Sequence, residues 1–252
     1  MAPAPRRRKT PKVPDGYDPG AFPSFAVTVD IVILTLLRKQ LHVLLVQRSE
    51  DPFEGEWALP GGFKRPDESL DEAAVRELAE ETRVTAPPYL AQFGAYGDPG
   101  RDPRTNVVTI AYLAVLRDPG RVVPGGDAAE ASFVPVDEIL SDELPLAFDH
   151  AQIVRDAVDR VRTDLETTGL ATAFVGESFT LSELRHVFEA AWDIELDPAN
   201  FQRTLTSRDQ GWVEVSDEPL STPSPKGGRP SKRFTATTTW QQGSPVRRPR
   251  RD

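Results

Sequence analysis

Hydrophobic positions change their period several times along this chain. From Ser24 to Leu37 apolar residues run almost unbroken, with Val27, Ile31, Val32, Ile33, Leu34, Leu36 and Leu37. A second run, Leu41 to Arg48, follows after only Arg38, Lys39 and Gln40. Branched and leucine side chains in both runs predict two buried strands joined by a short turn. Asp51, Pro52 and the residues to Glu56 read as a loop, and Trp57 to Leu59 lead into Pro60, Gly61 and Gly62. Proline and two glycines at a strand end also read as a loop. From Glu68 the period becomes helical, with Leu70, Ala73, Ala74, Leu78 and Ala79 three and four apart. That helix ends near Thr82, because Pro87 and Pro88 forbid its continuation. Strands are predicted at Tyr89–Tyr96, Val107–Leu116 and Ala131–Val136, a short helix at Val136–Leu140, and an amphipathic helix from His150 to Leu165.

Past residue 170 a second unit appears. Phe179 to Leu184 opens a helix whose N-cap is Thr180 or Ser178, with Glu183 completing a capping box from Thr180. Leu184, Val187, Phe188 and Ala191 form its buried stripe, and Trp192 ends it. After Asp193 or Asp197 a second helix begins at Pro198, a favoured first helical position, and runs to Arg208. Phe201 and Leu205 face inward, leaving Asn200, Arg203, Thr204, Ser207 and Arg208 outward. Two helices joined by a short turn read as helix-turn-helix. A strand at Gly211–Val215 and another from Phe234 make a hairpin, whose long loop carries Lys226, Arg229 and Lys232.

Charge sharpens that division. The net charge of −9 combines five basic residues in 1–12 and eight in 226–252 with a middle holding 17 basic and 38 acidic residues. Residues 1–21 read as a flexible basic arm and 241–252 as a basic disordered tail, leaving domains at 22–170 and 171–240. Basic ends suit nucleic acid. From Ser178 to Thr239 seven basic residues meet nine acidic ones, so a dimerisation or protein-contact role stays open for that unit. The apolar run Val27 to Leu37 is too short to span a bilayer, and no apolar stretch follows the N-terminal arginines. With no cysteine, disulfides and thiolate metal sites are excluded. A cytoplasmic protein is expected.

The candidate chemistry lies at 62–84. Five residues separate Gly62 from Glu68, and seven separate Glu68 from Arg76. Arg76, Glu77, Glu80 and Glu81 then share a helix face. Three carboxylates so stacked repel one another unless a cation joins them, and a hard divalent ion takes oxygen ligands. A solvated acidic face is the plain alternative. Between the strands at 89–96 and 107–116, Arg101 and Arg104 sit in a turn-rich loop from which a pyrophosphate can be gripped, or which is merely solvated.

The 62–84 pattern resembles the Nudix box, with Arg83 where that family carries glycine. Joined to the Phe179–Leu184 helix, the Asn200–Arg203 helix and the Gly228–Lys232 wing, it resembles the Nudix-related transcriptional regulators of NAD metabolism over residues 22 to about 240. The resemblance implies an α/β Nudix sandwich, a mixed sheet between helices, followed by an α+β winged helix-turn-helix domain. It implies that Arg76, Glu77, Glu80 and Glu81 form the catalytic set if the site is active, with Glu77, Glu80, Glu81 and Gly61 on Mg2+ or Mn2+. Gly62, Glu68, Arg101 and Arg104 would contact ADP-ribose, as effector or substrate, with Glu130 as a further late-loop glutamate. Asn200, Arg203, Thr204, Ser207, Arg208, Lys226, Arg229 and Lys232 would contact a palindromic double-stranded operator, bound by a homodimer. The implied function is repression of NAD biosynthesis or salvage genes, relieved by ADP-ribose. The alternative is a Mg2+-dependent ADP-ribose pyrophosphatase.

Overall fold

The computed structural model describes residues 12–82, 84, 87–117, 128–207, 212–216, 232–237 and 243–249. Its elements follow the sequence closely. Strand β1 (Ala26–Leu37) turns through Arg38 and Lys39, both at positive φ, into β2 (Gln40–Arg48). Then come β3 (Trp57–Ala58), β4 (Gly61–Phe63), α1 (Leu70–Thr82), β5 (Tyr89–Tyr96), β6 (Val107–Leu116) and β7 (Ala128–Pro135). Helices α2 (Val136–Leu140) and α3 (His150–Thr167) complete the first half.

These strands form one mixed seven-stranded sheet, ordered β3-β2-β1-β6-β5, with β4 added to β1 and β7 to β2. β1 and β6 pair in parallel, and the remaining pairs are antiparallel. The alternation of side chains along β1 divides the core. Val29, Ile31 and Ile33 pack with Ala73, Ala74 and Leu78 of α1, while Val32 and Leu34 pack with Ile153, Val154 and Ala157 of α3. A near-continuous apolar strand is what a sheet covered on both faces requires.

Two expectations change here. The segment Gly61–Phe63, expected as a loop, is a strand, with Gly62 opposite Val29 and Gly61 opposite Asp30. The glycines make that pairing possible: a Cβ on Gly61 would lie 2.2 Å from the Val29 carbonyl oxygen. The helix expected from Glu68 begins at Leu70, because Ser69 and Glu72 close a reciprocal cap. The Ser69 hydroxyl accepts from Glu72 N at 3.2 Å, and Glu72 accepts from Ser69 N at 2.7 Å.

The second unit is β8 (Ser178–Phe179), α4 (Leu181–Trp192), α5 (Pro198–Thr206), β9 (Val213–Val215) and β10 (Phe234–Ala236). Its sheet runs β8-β10-β9, so the expected hairpin gains a third strand from just before α4. Thr180 caps α4 with the full capping box, Asp193 ends it in the left-handed conformation, and Asp197 caps α5. Leu184, Val187, Phe188, Ala191 and Trp192 are buried, as are Phe201 and Leu205. This unit is not a separate bead: its apolar residues and those of α3 and β2 form one cluster. Two backbone-anchored bonds cross the junction. Trp192 Nε1 donates to the Arg162 carbonyl at 3.1 Å, and Arg162 Nε donates to the Ala191 carbonyl at 2.9 Å.

Within the expected tail at 241–252, residues 243–249 are described. Ser244 and Val246 are buried, and Val246 joins the main apolar cluster. Among the described residues no helix is long and apolar enough to cross a membrane.

Candidate functional site

The helix α1 delivers its charged face to the end of β4 and binds it with one arginine. Arg76 forks onto Glu68, Nε to Oε2 at 2.9 Å and Nη2 to Oε1 at 2.7 Å. Its Nη1 donates to Glu77 Oε1 at 2.6 Å and to Glu80 Oε2 at 3.1 Å, and Nη2 also reaches the Phe63 carbonyl at 3.1 Å. Glu68 therefore aims Arg76, and it does not line the cleft described below. The residue expected to contact ligand is thus engaged with Arg76 here. The Arg76 fork, aided by the Arg65 backbone N–H at 2.7 Å, lowers the Glu68 carboxyl to about 2. Glu77 is different: burial pushes its carboxyl up, against the pull of Arg76. Gly62 permits that burial, since a Cβ there would lie 2.3 Å from Glu77 Oε1. Glu81 Oε2 accepts the Gly61 N–H at 3.1 Å, tying the far end of the helix to β4.

A cleft of about 210 Å3 opens beside this knot, between β1, β2, β4 and the loops before β6 and α3. Gly61, Gly62, Glu81, Arg101 and Arg104 line it. Arg101 is consumed by two carboxylates, Asp149 at 2.6 and 2.9 Å and Asp30 at 3.4 Å, and its side chain is 5% exposed. It braces the cleft wall. Arg104 pairs with Asp102 but keeps 41% of its side chain exposed, and its guanidinium lies over Phe63 and Phe148.

Arg48, Phe148 and Asp30, which the sequence did not single out, also line the cleft, together with His150. Arg48, at the end of β2, lies 5.0 Å over the same Phe148 ring. Burial, and then the neighbouring Arg104, lower its pKa. Two cations stacked on one ring attract anionic ligands. His150 is buried in the cleft wall. Its Nδ1 accepts the buried Leu59 N–H at 2.9 Å, which leaves the Nε2 side, 3.5 Å away, toward Asp30. Asp30 is buried, which raises its pKa, yet His150 and Arg101 hold it below the ordinary value. A charged residue at a strand end ahead of a proline-glycine loop was the one available sign of Arg48. Phe148 and Asp30 carried none.

Glu130 lies on β7 opposite Gln47, exposed and outside the cleft lining. Arg83 lies outside the described residues. For a divalent ion, the oxygen donors of Glu77, Glu80 and Glu81 are right in kind. Their spacing is not that of a formed site: among the described residues no three acidic or histidine side chains converge to hold a metal. Arg76 occupies the place between Glu77 and Glu80.

On the second unit, α5 turns Phe201 and Leu205 inward and leaves Asn200 and Arg203 exposed, with Thr204 and Ser207 half-buried. Arg203 donates to Asn200 Oδ1, so the two form one polar surface. Lys232 is exposed just before β10. Arg208, Lys226 and Arg229 lie outside the described residues.

A NUDIX domain is matched by residues 25–157, and an NrtR DNA-binding winged helix domain by residues 171–234. The chain belongs to the Nudix-related regulators of the NrtR type. An ADPR responsive transcriptional repressor of Acinetobacter baylyi, NtrR, is 33% identical over 204 residues, 80% of each chain. The crystal structure of Shewanella oneidensis NrtR with a 27-mer DNA has a TM-score of 0.71 and 34% identity, covering 84% of this chain and 93% of that one. The NUDIX domain of the same NrtR, crystallised with ADP ribose, has a TM-score of 0.53 and 41% identity, covering 58% of this chain and 94% of that one.

Proposed function

We propose that this protein is a cytoplasmic DNA-binding repressor whose Nudix cleft takes ADP-ribose, or a related NAD metabolite, as the effector that releases DNA. The observation that carries the reading is the course of β2. Its Arg48 end lines the cleft, while Gln40 and Leu41 at its other end share a pocket with His186, Glu189 and Ala190 of α4. One rigid strand thus joins ligand to reading head. Arg48 and Arg104 would clasp the pyrophosphate, with Phe148 and Phe63 offering ring faces to the rest of the nucleotide. On the DNA side, the α5 surface of Asn200, Arg203, Thr204 and Ser207 would enter a major groove, where arginine and asparagine read base edges. Arg208 and the wing residues Lys226, Arg229 and Lys232 would hold the backbone.

A palindromic operator demands a two-fold partner, so the working unit is a homodimer. Ligand binding favours an arrangement of the two reading heads that no longer fits both half-sites. The controlled genes are those of NAD biosynthesis or salvage. Glu77, Glu80, Glu81 and the Gly61 carbonyl are the groups that would hold Mg2+ or Mn2+, which would supply charge neutralisation at the pyrophosphate. A second reading is slow ADP-ribose hydrolysis, for which Glu77, Glu80 and Glu81 offer carboxylate oxygens on one helix.

The test is a gel-shift titration on DNA upstream of neighbouring NAD-biosynthesis genes, with and without ADP-ribose and Mg2+, the same samples being assayed for AMP. A shift reversed by intact ADP-ribose is expected. Absence of any shift at low salt would exclude the repressor, and rapid AMP release with no shift would leave an enzyme. Arg104→Ala is expected to weaken ADP-ribose without weakening DNA binding.

A further inference from the structure

The chain continues past the wing and comes back to the reading head. Residues 243–249 lie along the C-terminal end of α3 and the flank of α5. The anchor is apolar and backbone-directed. Ser244 and Val246 are buried, the Ser244 hydroxyl accepts the Val246 N–H at 3.1 Å, and Arg247 Nη1 donates to the Glu166 carbonyl at 2.6 Å. Pro245, Val246 and Pro249 face Asn200 and Thr204 of α5 across one groove. Those two α5 residues belong to the polar surface assigned above to DNA.

Arg248 is half-exposed and stands in the chain between Arg247 and Pro249, which line that groove, without lining it itself. Among the described residues Arg248 makes no hydrogen bond and no ion pair, although the middle of the chain holds 38 acidic residues. Its segment runs beside α5, and among the described residues its charge has no partner. A partner with regularly spaced negative charge running past a groove-reading helix is the phosphate backbone of duplex DNA.

We propose that the C-terminal segment is an additional DNA contact, in which the Val246 plug fixes Arg248 against a backbone phosphate flanking α5. The proposal rests on the DNA-binding reading above and extends its surface beyond the recognition helix and wing. The opposite role for the same geometry is a strap that shields α5, and the experiment separates them.

Anisotropy titrations would use the full chain and a fluorescein-labelled random-sequence duplex of about 30 base pairs, over about 0.05 to 0.3 M KCl. Each phosphate contact steepens the log–log salt dependence by about 0.9, or about eightfold in affinity at about 0.1 M salt. Arg248→Gln is therefore expected to flatten the slope by about 0.9 and to bind about eightfold more weakly at that salt, whereas Arg248→Lys keeps the slope. Unchanged ADP-ribose binding by Arg248→Gln, measured by calorimetry, checks that the fold is intact. A slope equal to that of the wild type overturns the arm and leaves the DNA-binding reading standing. Tighter binding by Arg248→Gln overturns it in favour of a shielding strap. A wild-type chain that binds no duplex removes both the arm and the repressor.

Discussion

Gly61 and Gly62 are adjacent, yet alanine at the two positions should act on different properties. At Gly61 the added Cβ meets the Val29 carbonyl oxygen at 2.2 Å, Asp30 Oδ1 at 2.6 Å and Asp30 Cα at 3.0 Å, two of the three being backbone. Moving the Asp30 side chain does not relieve the clash with the Val29 carbonyl, so β1 and β4 must part. Parting them strains the flanking bonds from Ile31 N to the Pro60 carbonyl at 2.8 Å and from Lys64 N to the Val27 carbonyl at 2.9 Å. Two backbone bonds at about 0.5–1.5 kcal/mol each, with overpacking at about 1–3 kcal/mol, give a loss near 3 kcal/mol. At Gly62 the Cβ meets the Glu77 carboxylate, at 2.3 Å from Oε1. That side chain can swing about 1 Å, giving up its 2.6 Å bond to Arg76. A hydrogen bond between charged groups contributes about 1.5–3 kcal/mol, and the smaller entropy of the unfolded alanine chain returns about 0.4–1 kcal/mol. Thermal melts should show Gly61→Ala falling by roughly 6–12 °C and Gly62→Ala by roughly 2–6 °C, at 2–4 °C per kcal/mol for this size. Calorimetry should show ADP-ribose binding lost in Gly62→Ala while its fold persists. Gly62→Ala melting lower than Gly61→Ala, or Gly61→Ala melting with the wild type, would refute the reasoning.

Acid should loosen the same knot. The Glu68 carboxyl is depressed to about 2 from 4.5, so its contribution is complete above 4.5 and disappears as pH falls toward 2. In urea melts the advantage of wild type over Glu68→Gln should be constant at neutral pH and vanish across that window; a gap that persists at pH 2 would contradict the fork. His150→Phe leaves the buried Leu59 N–H without its acceptor and should cost about 1–3 kcal/mol, with Asn at the same position recovering part of it, as read by urea midpoints. Trp192→Phe removes the indole bond to the Arg162 carbonyl at a cost of about 1 kcal/mol. It should also accelerate hydrogen exchange on α4; unchanged exchange there would argue against a bonded junction.

Most of the framework was legible because period and capping residues agree with the tertiary packing. The Thr180–Glu183 box, Pro198 at the start of α5 and the apolar stripe of α4 each stand where local chemistry alone puts them. Gly61 was misread because local rules treat paired glycines as a turn, whereas here the missing Cβ serves a strand-to-strand approach that only tertiary contact reveals. Beside the cleft, the spacing of Arg76, Glu77, Glu80 and Glu81 marked one helix face. That Arg76 fills the space between the glutamates is a matter of rotamers, which spacing does not encode. Arg101 and Arg104 looked alike in the loop, but Asp149 lies 48 residues from Arg101, and that distant carboxylate makes it a brace. Val246 was invisible for the same reason: a single valine among prolines and arginines becomes a plug only because α3 and α5 leave a socket.

The single cluster that runs from Val32 through Ile153 to Trp192 has a consequence for transplantation. A reading head whose hydrophobic underside is also the outer wall of the sensor cannot be exchanged like a cartridge. A chimera cut at residue 171 would expose Phe188 and Trp192 on one piece and Val158 and Val161 on the other. Grafts that carry α3 with the head, and match its apolar face, are the ones that should stay soluble. New operator preferences are better sought by changing the outer face of α5 alone.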